Sequence, residues 1–339
     1  MRRVCARISS TLFLASMLLL FTACSAVQTN ATAPNATSAA NGTIKVVMVP
    51  KAVGSSYWET VHQGAVCAAS KLKNVSLQWD GVTAETDVTG QVNLLTNYIT
   101  QGVNGLVYAA TDAKALVPVT QRALTAGIKV VNIDSGTDPQ PAQAPLFATD
   151  NVASAHKAAD LLAQALHNQG KVAFLPFLAG SATNDQRASG FLDELKKYPG
   201  LDLVATQYTQ SDTNTALRVT EDILSAHPDL KGIFAANEPG VIGAAEAVKK
   251  AGLAGKVVII GWDAAPDEIT GVKNGTISAL VVQNPFRMGY DGLNAVVKEI
   301  REGTQVQTED TGVTFVTPQN INDTTIQAVL NPSCANPPV

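Results

Sequence analysis

Short apolar runs rich in β-branched residues alternate with longer segments of helical periodicity along almost the whole chain. In the first half, these runs occupy residues 44–49, 75–79, 105–109 and 128–133. Continuous apolar strands separated by helices are typical of parallel sheets that are covered by helices on both faces. The same pattern resumes after Asp150. The sequence therefore predicts the α/β class, with two doubly wound parallel-sheet lobes.

The second series of predicted elements repeats the first. Its strands are expected at 171–175, 203–208, 232–236, 257–261 and 277–282. Across both series, helices are expected at 55–73, 85–101, 112–126, 184–197, 213–226, 240–251 and 287–302.

Composition excludes several other classes of protein. The chain has 339 residues, of which 46% are hydrophobic. That is enough apolar mass to bury a core, and it excludes intrinsic disorder. Lysine and arginine number 24 against 28 aspartate and glutamate, which gives a formal net charge of −4. A nucleic-acid-binding protein usually carries a basic patch, so no nucleic-acid partner is expected. The length indicates about two domains.

The first residues have the features of an export signal. Arg2, Arg3 and Arg7 form a positive segment, and residues 12–21 form an apolar run that is too short to span a bilayer comfortably. The protein is therefore predicted to be exported and to face the periplasm or the cell exterior.

A cysteine follows this apolar run, directly behind small residues. Cys24 at this place resembles the lipobox of bacterial lipoproteins, in which the thiol receives a diacylglycerol and the cysteine becomes the new N-terminus. This resemblance predicts a signal peptide at 1–23 and a lipid anchor at Cys24. Residues 24–42 are rich in Ala, Thr, Asn and Ser and are predicted to form a flexible tether. The alternatives are a plain secretory signal cut near Ala26 and an uncleaved anchor.

Two cysteines remain in the exported domain. Cys67 lies on the first predicted helix, and Cys334 lies in a proline-rich C-terminal tail. Disulfides persist in oxidising compartments, so a bridge between these two residues is predicted to hold the tail in place. The alternative is two separate thiols, one buried and one exposed.

Polar and aromatic side chains are concentrated immediately after the predicted strands. Open α/β sheets bind ligands beyond the carboxyl ends of their strands, so these positions are the candidate ligand-binding residues. Carboxylates and amides there can each bond several hydroxyl groups. An aromatic pair at a helix start can stack on a sugar ring or pack inward, and an aspartate before Ser-Gly can also be a turn cap. The candidates are Lys51, Ser55, Tyr57, Trp58, Asp134, Asp185, Gln186, Asn237, Asp263 and Gln283.

Catalytic and metal-binding motifs are missing from the sequence. It contains no His-Glu-x-x-His, no Cys-x-x-Cys, no phosphate-binding Gly-x-x-x-x-Gly-Lys and no Gly-x-Ser-x-Gly. The four histidines are scattered, and none has a paired ligand in the sequence pattern. The sequence therefore predicts a binding protein rather than an enzyme, with no metal, no cofactor and no catalytic residue.

Several stretches, in this order and behind an export signal, are similar to the periplasmic sugar-binding protein family, which includes ribose-binding and autoinducer-2-binding members. The similarity extends over residues 43–317, nearly all of the exported domain. It is carried by Val49-Pro50-Lys51 through Trp58, Val131-Asn132-Ile133-Asp134-Ser135, Ser225-Ala226-His227-Pro228-Asp229, Ile260-Gly261-Trp262-Asp263, and Gln283 with Gly289.

This resemblance implies a particular domain organisation. Two lobes would be joined by three chain crossings, near residues 148–150, 283–284 and 312. The lobes would comprise residues 43–148 plus 284–311, and residues 149–283 plus 312–339. The ligand would lie between the lobes, and closure would bury it. The protein, expected to be a monomer, would deliver its ligand to an ABC permease in the cytoplasmic membrane.

The resemblance divides the candidate residues between two ligand patterns. The match to ribose binders consists of Tyr57, Trp58, Asp134, Asn237, Asp263 and Gln283. The match to the autoinducer-2 receptor consists of Lys51, Asp134, Asp185 and Gln186. Ser135, Asp185 and Ser211 stand where ribose binders have two arginines and an aromatic residue.

Both patterns imply a small neutral monosaccharide or polyol as the ligand. The alternative is a receptor for autoinducer-2, or a sensor protein that presents a sugar. In the empty site, Lys51 is predicted to pair with Asp185 or to point to solvent.

Overall fold

The computed structural model describes residues 42–335. The predicted signal peptide, Cys24 and nearly all of the predicted tether lie outside the described residues. Within residues 42–335, no helix is long and apolar enough to cross a membrane.

The first lobe is built on a six-stranded sheet in which every neighbouring pair of strands is parallel. The strands are β1 Ile44–Val49, β2 Val75–Trp79, β3 Gly105–Tyr108, β4 Lys129–Ile133, β5 Leu146–Ala148 and β11 Glu309–Asp310. The strand order across this sheet is β11-β5-β4-β3-β1-β2.

The second lobe repeats this architecture. Its strands are β6 Gly170–Leu175, β7 Leu201–Thr206, β8 Leu230–Ala235, β9 Val258–Trp262, β10 Ala279–Gln283 and β12 Val313–Val316. The strand order is β12-β10-β9-β8-β6-β7. Neighbouring strands are parallel except for β10 and β12, which are antiparallel.

Helices cover both faces of each sheet. Successive residues of a strand point to opposite faces, so an apolar strand presents apolar side chains to the helices on both sides. In the first lobe, Val107 and Val131 pack against helices of one face, whereas their neighbours Leu106 and Val130 pack against helices of the other. The helices are α1 Ser56–Lys71, α2 Val88–Thr100, α3 Val117–Thr125, α4 Asn151–Ala165, α5 Ala182–Leu195, α6 Thr213–Ala226, α7 Glu238–Lys250, α8 Pro266–Lys273, α9 Pro285–Glu302 and α10 Thr324–Leu330.

Helices α1 and α9 approach each other closely on the outer face of the first sheet. A Cβ atom at Gly64 would lie 1.9 Å from the carbonyl oxygen of Phe286, and one at Gly289 would lie 1.9 Å from that of Val61. These distances leave no room for a side chain, so the two glycines are needed for this contact. Helix α9 follows β10 of the second sheet but is packed in this way onto the first.

The chain passes between the two sheets three times. It does so between β5 and α4, between β10 and α9, and between β11 and β12. All of these crossings lie at the same end of the strand order, because β5, β10, β11 and β12 are edge or near-edge strands. The fold class predicted from the alternation of strands and helices is therefore confirmed.

Several element boundaries differ from those expected. The helix expected at 85–101 begins at Val88, because the carboxylate of Asp87 accepts the backbone N–H of Gly90 and caps the helix there. This leaves Glu85 in the loop that follows β2. The elements α4, α8, α10, β5, β11 and β12 were not predicted.

The predicted bridge between Cys67 and Cys334 is present, with a Cα–Cα distance of 5.4 Å. Cys67 lies on α1 of the first lobe. The preceding helix α10 packs into the core of the second lobe through Ile326. The disulfide therefore attaches a segment carried by the second lobe to the first lobe.

Candidate ligand-binding site

A cavity of about 540 Å³ lies between the two lobes. Its lining comes from the loops that follow strands of both sheets, at their carboxyl ends. This volume is within the range of ordinary small-molecule sites. The cavity therefore occupies the position at which open α/β sheets bind ligands.

The first lobe contributes a buried cluster centred on Asp134, which follows β4. Its Oδ1 atom accepts the hydroxyl hydrogen of Tyr57 at 2.9 Å, and its Oδ2 atom lies 3.1 Å from Nζ of Lys51. The Lys51 ammonium also donates to the hydroxyl oxygens of Ser181 at 3.2 Å and Thr183 at 2.8 Å, which belong to the second lobe. Lys51 therefore joins the two lobes at the base of the cavity.

The predicted pairing of Lys51 with Asp185 is wrong. Lys51 is 2% exposed and pairs with Asp134, so it does not point to solvent either. Burial, and then the charge of Asp134, raise the pKa of Tyr57 well above its usual value of 10.0. Tyr57 therefore remains a neutral hydrogen-bond donor at any physiological pH.

The second lobe contributes Asp263, which follows β9. Its Oδ1 atom accepts a hydrogen bond from Nε2 of Gln283 at 2.8 Å, and its Oδ2 atom accepts one from the backbone N–H of Glu238 at 3.1 Å. Burial raises the pKa of Asp263 to about 6, against the opposing charge of Arg187. The Oε1 atom of Gln283, a residue that lines the cavity, is buried and has no hydrogen-bond partner within the described residues.

Asp134 and Asp263 share an uncommon backbone conformation. Their φ angles are +57° and +85°, in the left-handed region that non-glycine residues seldom adopt. Such conformations cost on the order of 1–3 kcal/mol and persist where the surrounding structure enforces them. Each lobe thus places one aspartate directly after a central strand and turns its carboxylate into the cleft.

Arg187 on α5 is held by neutral acceptors. Its Nε atom donates to Oδ1 of Asn151 at 2.9 Å and its Nη1 atom donates to the carbonyl oxygen of Ala236 at 2.7 Å. Its guanidinium lies 4.2 Å from the ring centre of Trp262 and 5.4 Å from that of Phe177. Arg187 therefore covers the Trp262 ring and fixes the wall of the cavity.

Glu238 is a functional candidate that the sequence did not identify. Its carboxylate accepts the backbone N–H groups of Ser56 at 3.2 Å and Tyr57 at 2.9 Å, at the beginning of α1 in the opposite lobe. Burial, followed by the charge of Asp263, raises the pKa of Glu238 to about 7. The contact joins the lobes, and a sequence contains no signal for a partner 181 positions away.

A second set of contacts joins the lobes at the outer side of the cavity. The Nε1 atom of Trp58 donates to Oε1 of Glu85 at 3.3 Å, and the hydroxyl of Ser211 donates to Oε2 of the same carboxylate at 2.8 Å. The side-chain amide of Asn237 donates in turn to the Ser211 oxygen at 2.7 Å. Glu85 was missed because it was expected on a helix.

The structure brings together most of the candidate residues, with an exception on α5. The candidates that line the cavity are Lys51, Ser55, Tyr57, Trp58, Asp134, Asn237, Asp263 and Gln283. Asp185 and Gln186 do not line it; they are exposed and bond to Asn184 and Asn151 respectively. Asn184 and Arg187, three residues apart, occupy the buried face of α5, which turns the two residues between them outward.

Within the described part of the chain, residues 42–335, no group of three or more His, Cys, Asp or Glu side chains could hold a metal ion.

Comparison with known proteins gives matches over most of the chain. The periplasmic binding protein domain matches residues 46–305. The D-ribose/D-allose-binding protein of Pseudomonas aeruginosa is 31% identical over 272 residues, which are 78% of this chain and 85% of that protein.

Solved structures match equally broadly. An ABC transporter solute-binding protein from Agrobacterium vitis with bound D-fucose has a TM-score of 0.82 and 38% identity, covering 85% of this chain and 100% of that chain. A carbohydrate transporter solute-binding protein from Agrobacterium radiobacter in complex with D-arabinose has a TM-score of 0.82 and 34% identity, covering 87% of this chain and 100% of that chain.

Proposed function

The chain belongs to the periplasmic binding protein family, and on this basis we propose that it is the solute-binding protein of an ABC importer for a small neutral monosaccharide or polyol. The resemblance found in the sequence is thereby confirmed at the level of the family. The three relatives described above are named for ribose and allose or were solved with fucose or arabinose.

The observation that supports this function best is the convergence of buried polar groups from both lobes on one cavity. Tyr57 and Asp134 come from the first lobe, and Asn237, Asp263 and Gln283 come from the second. A ligand that bonds both sets at once binds the closed arrangement better than the open one, and so shifts the population towards closure. We therefore assign hinge closure as the mechanism.

The charges of the cavity favour a neutral ligand with several hydroxyl groups. Lys51 is already paired with Asp134, and Arg187 is held by protein acceptors. Hydrogen bonds to ionised groups contribute about 1.5–3 kcal/mol each. Four or five of them, after the cost of desolvation, support binding near −8 kcal/mol, which is about micromolar.

The remaining features of the proposal concern the rest of the chain. We propose that Cys24 carries a lipid anchor, that residues 24–42 tether the domain to the membrane, and that the monomer presents its ligand unchanged to a permease. We also propose the two lobes as rigid units, with boundaries at 43–148 plus 284–311 and at 149–283 plus 312–339.

Titration calorimetry with a panel of sugars tests the function. The panel contains D-ribose, D-allose, D-arabinose, D-fucose, pentitols and autoinducer-2, and one neutral sugar or polyol is expected to bind with a Kd of about 1 µM or lower. Asp263→Asn should weaken that binding at least tenfold, whereas Asp202→Asn, an exposed position on β7, should leave it unchanged.

Two results would contradict the proposal. One is that no member of the panel binds, and the other is that the recovered sugar is chemically altered after incubation.

A further inference from the structure

We propose that Glu85 and Ser211 are positioning residues that assemble the binding site on closure. The Ser211 hydroxyl donates to Glu85 across the cleft, while Glu85 holds Trp58 of its own lobe and Ser211 holds Asn237 of the other. We refer to the hydrogen-bonded set Trp58–Glu85–Ser211–Asn237 as the edge network. The inference rests on the proposed function, because it assumes that the two lobes close on a ligand.

The sheet topology places the edge network where opening of the lobes has its greatest effect. Glu85 follows β2 and Ser211 follows β7, which are the edge strands opposite the three chain crossings. Five strand spacings of about 4.8 Å separate the two edges of each sheet. A rotation of about 10° over a lever of about 20 Å moves the ends apart by about 3.5 Å, which exceeds the tolerance of a hydrogen bond.

The direction of each hydrogen bond is fixed by the chemistry of the groups. A carboxylate accepts only, so both the indole N–H of Trp58 and the hydroxyl of Ser211 must donate to Glu85. The Ser211 oxygen is then free to accept from Nδ2 of Asn237. Ser211 thus transmits the position of the Glu85 carboxylate to a residue of the second lobe.

The amide of Asn237 is constrained at both ends. Its Oδ1 atom accepts the backbone N–H of Gly240 at 3.2 Å and caps α7. Its Nδ2 atom is directed by Ser211, and one amide N–H remains available for a ligand. Without Glu85, the Ser211 hydroxyl can rotate, and it no longer fixes the orientation of the Asn237 amide.

Glu85 acts on the first lobe in the same way. Trp58 is buried beside Tyr57 with the two rings nearly perpendicular, and its indole N–H is bonded to Glu85. Within residues 42–335, Glu85 forms no salt bridge, so its two hydrogen-bonding partners come from the edge network. The carboxylate therefore holds side chains of both lobes without neutralising a charge.

Dissociation kinetics give the first test, with D-fucose and D-arabinose as probes. The variants Glu85→Gln and Ser211→Ala should each increase the dissociation rate on the order of tenfold, the effect of losing a hydrogen bond to a charged group. The association rate should stay within twofold, because the edge network forms after the sugar has entered. Gln207→Ala, in the same loop as Ser211, and Thr89→Ala, on α2, are controls that should change neither rate.

The indole N–H signal of Trp58 in a ¹⁵N–¹H correlation spectrum, recorded at saturating D-fucose or D-arabinose, gives a second test. Trp58→Phe identifies the signal among those of the three tryptophans. Ser211→Ala, a change in the opposite lobe, should shift it, whereas Gln207→Ala should not. A general loss of stability would not produce this selective effect.

The two tests separate the inference from the function it depends on. If neither probe nor any other sugar binds, the proposed function fails, and the edge network, which needs closure on a sugar, fails with it. If a sugar binds but Ser211→Ala leaves both the dissociation rate and the Trp58 signal unchanged, the edge network is refuted while the proposed function stands.

Discussion

Breaking the buried ion pair between Lys51 and Asp134 is expected to separate the stability of the protein from its ability to bind sugar. Both side chains are 3% exposed and their charged atoms are 3.1 Å apart. Asp134→Asn leaves an amide that can still accept from Tyr57, and asparagine tolerates the left-handed backbone at this position. It leaves the Lys51 ammonium with the hydroxyls of Ser181 and Thr183 as its remaining partners.

The size of the expected loss of stability follows from the burial of Lys51. Removing one partner of a buried pair costs about 3–5 kcal/mol, because a charge is left uncompensated. The retained hydroxyl contacts place the expected loss for Asp134→Asn at the lower end, about 3 kcal/mol. An exposed pair gives the matched control: Lys196 and Asp193 are 75% and 59% exposed, so Asp193→Asn should leave the free energy of unfolding close to that of the wild type.

Urea unfolding and sugar titration together provide the assay. The double variant Lys51→Met/Asp134→Asn should recover most of the lost stability, because it removes the unpaired charge together with its partner. It should not recover sugar binding, since both charged groups are gone. The reasoning would be refuted if Asp134→Asn were as stable as the wild type, or if the double variant were less stable than the sum of the single changes predicts.

Three further predictions concern pH, the disulfide and helix packing. The pKa of Glu238 is raised from 4.5 to about 7. Between these pH values the folded state therefore binds more protons than the unfolded state, and the free energy of unfolding should fall as the pH rises. For this one group the fall is at most about 1.4 kcal/mol per pH unit. Glu238→Gln should flatten that fall in urea titrations at pH 5 and 7.5, and an unchanged slope would contradict the assignment. Replacing Cys67 and Cys334 by serine should cost about 2–5 kcal/mol, and a melting temperature that is equal in the oxidised wild type and the variant would count against a bridge in solution. Gly64→Ala should destabilise the protein by about 1–3 kcal/mol, because its Cβ meets the Phe286 carbonyl of α9; unchanged thermal unfolding would show that the two helices can separate at no cost.

The strands of the two sheet centres could be predicted from sequence because they are buried on both faces. A run such as 105–109 contains no charged or amide side chain, and this property distinguishes it from an amphipathic helix. The elements β5, β11 and β12 have two to four residues each, which is too short for a periodic pattern to be recognised. Helix α4 was missed although Asp150 caps it, because its buried face is largely alanine.

The binding site was predictable to the extent that it follows from strand ends. Asp134, Asn237, Asp263 and Gln283 could be placed because the carboxyl ends of parallel strands meet at one edge. Asp185 and Gln186 were misplaced because the phase of α5 decides which side chains face the cavity.

Glu85 and Glu238 could not be identified for a different reason. Each has a partner in the opposite lobe, 126 positions away for Glu85 and 181 for Glu238. Such pairs follow from the docking of two folded units, and no local pattern in the chain encodes them.

The crystal structure of the protein with its sugar tests the central claim most directly. The proposed function predicts one sugar ring in the cavity between the lobes, hydrogen-bonded to Asp134 on one side and to Asn237, Asp263 or Gln283 on the other. A sugar bound outside this cavity, or held by side chains of one lobe alone, would contradict it.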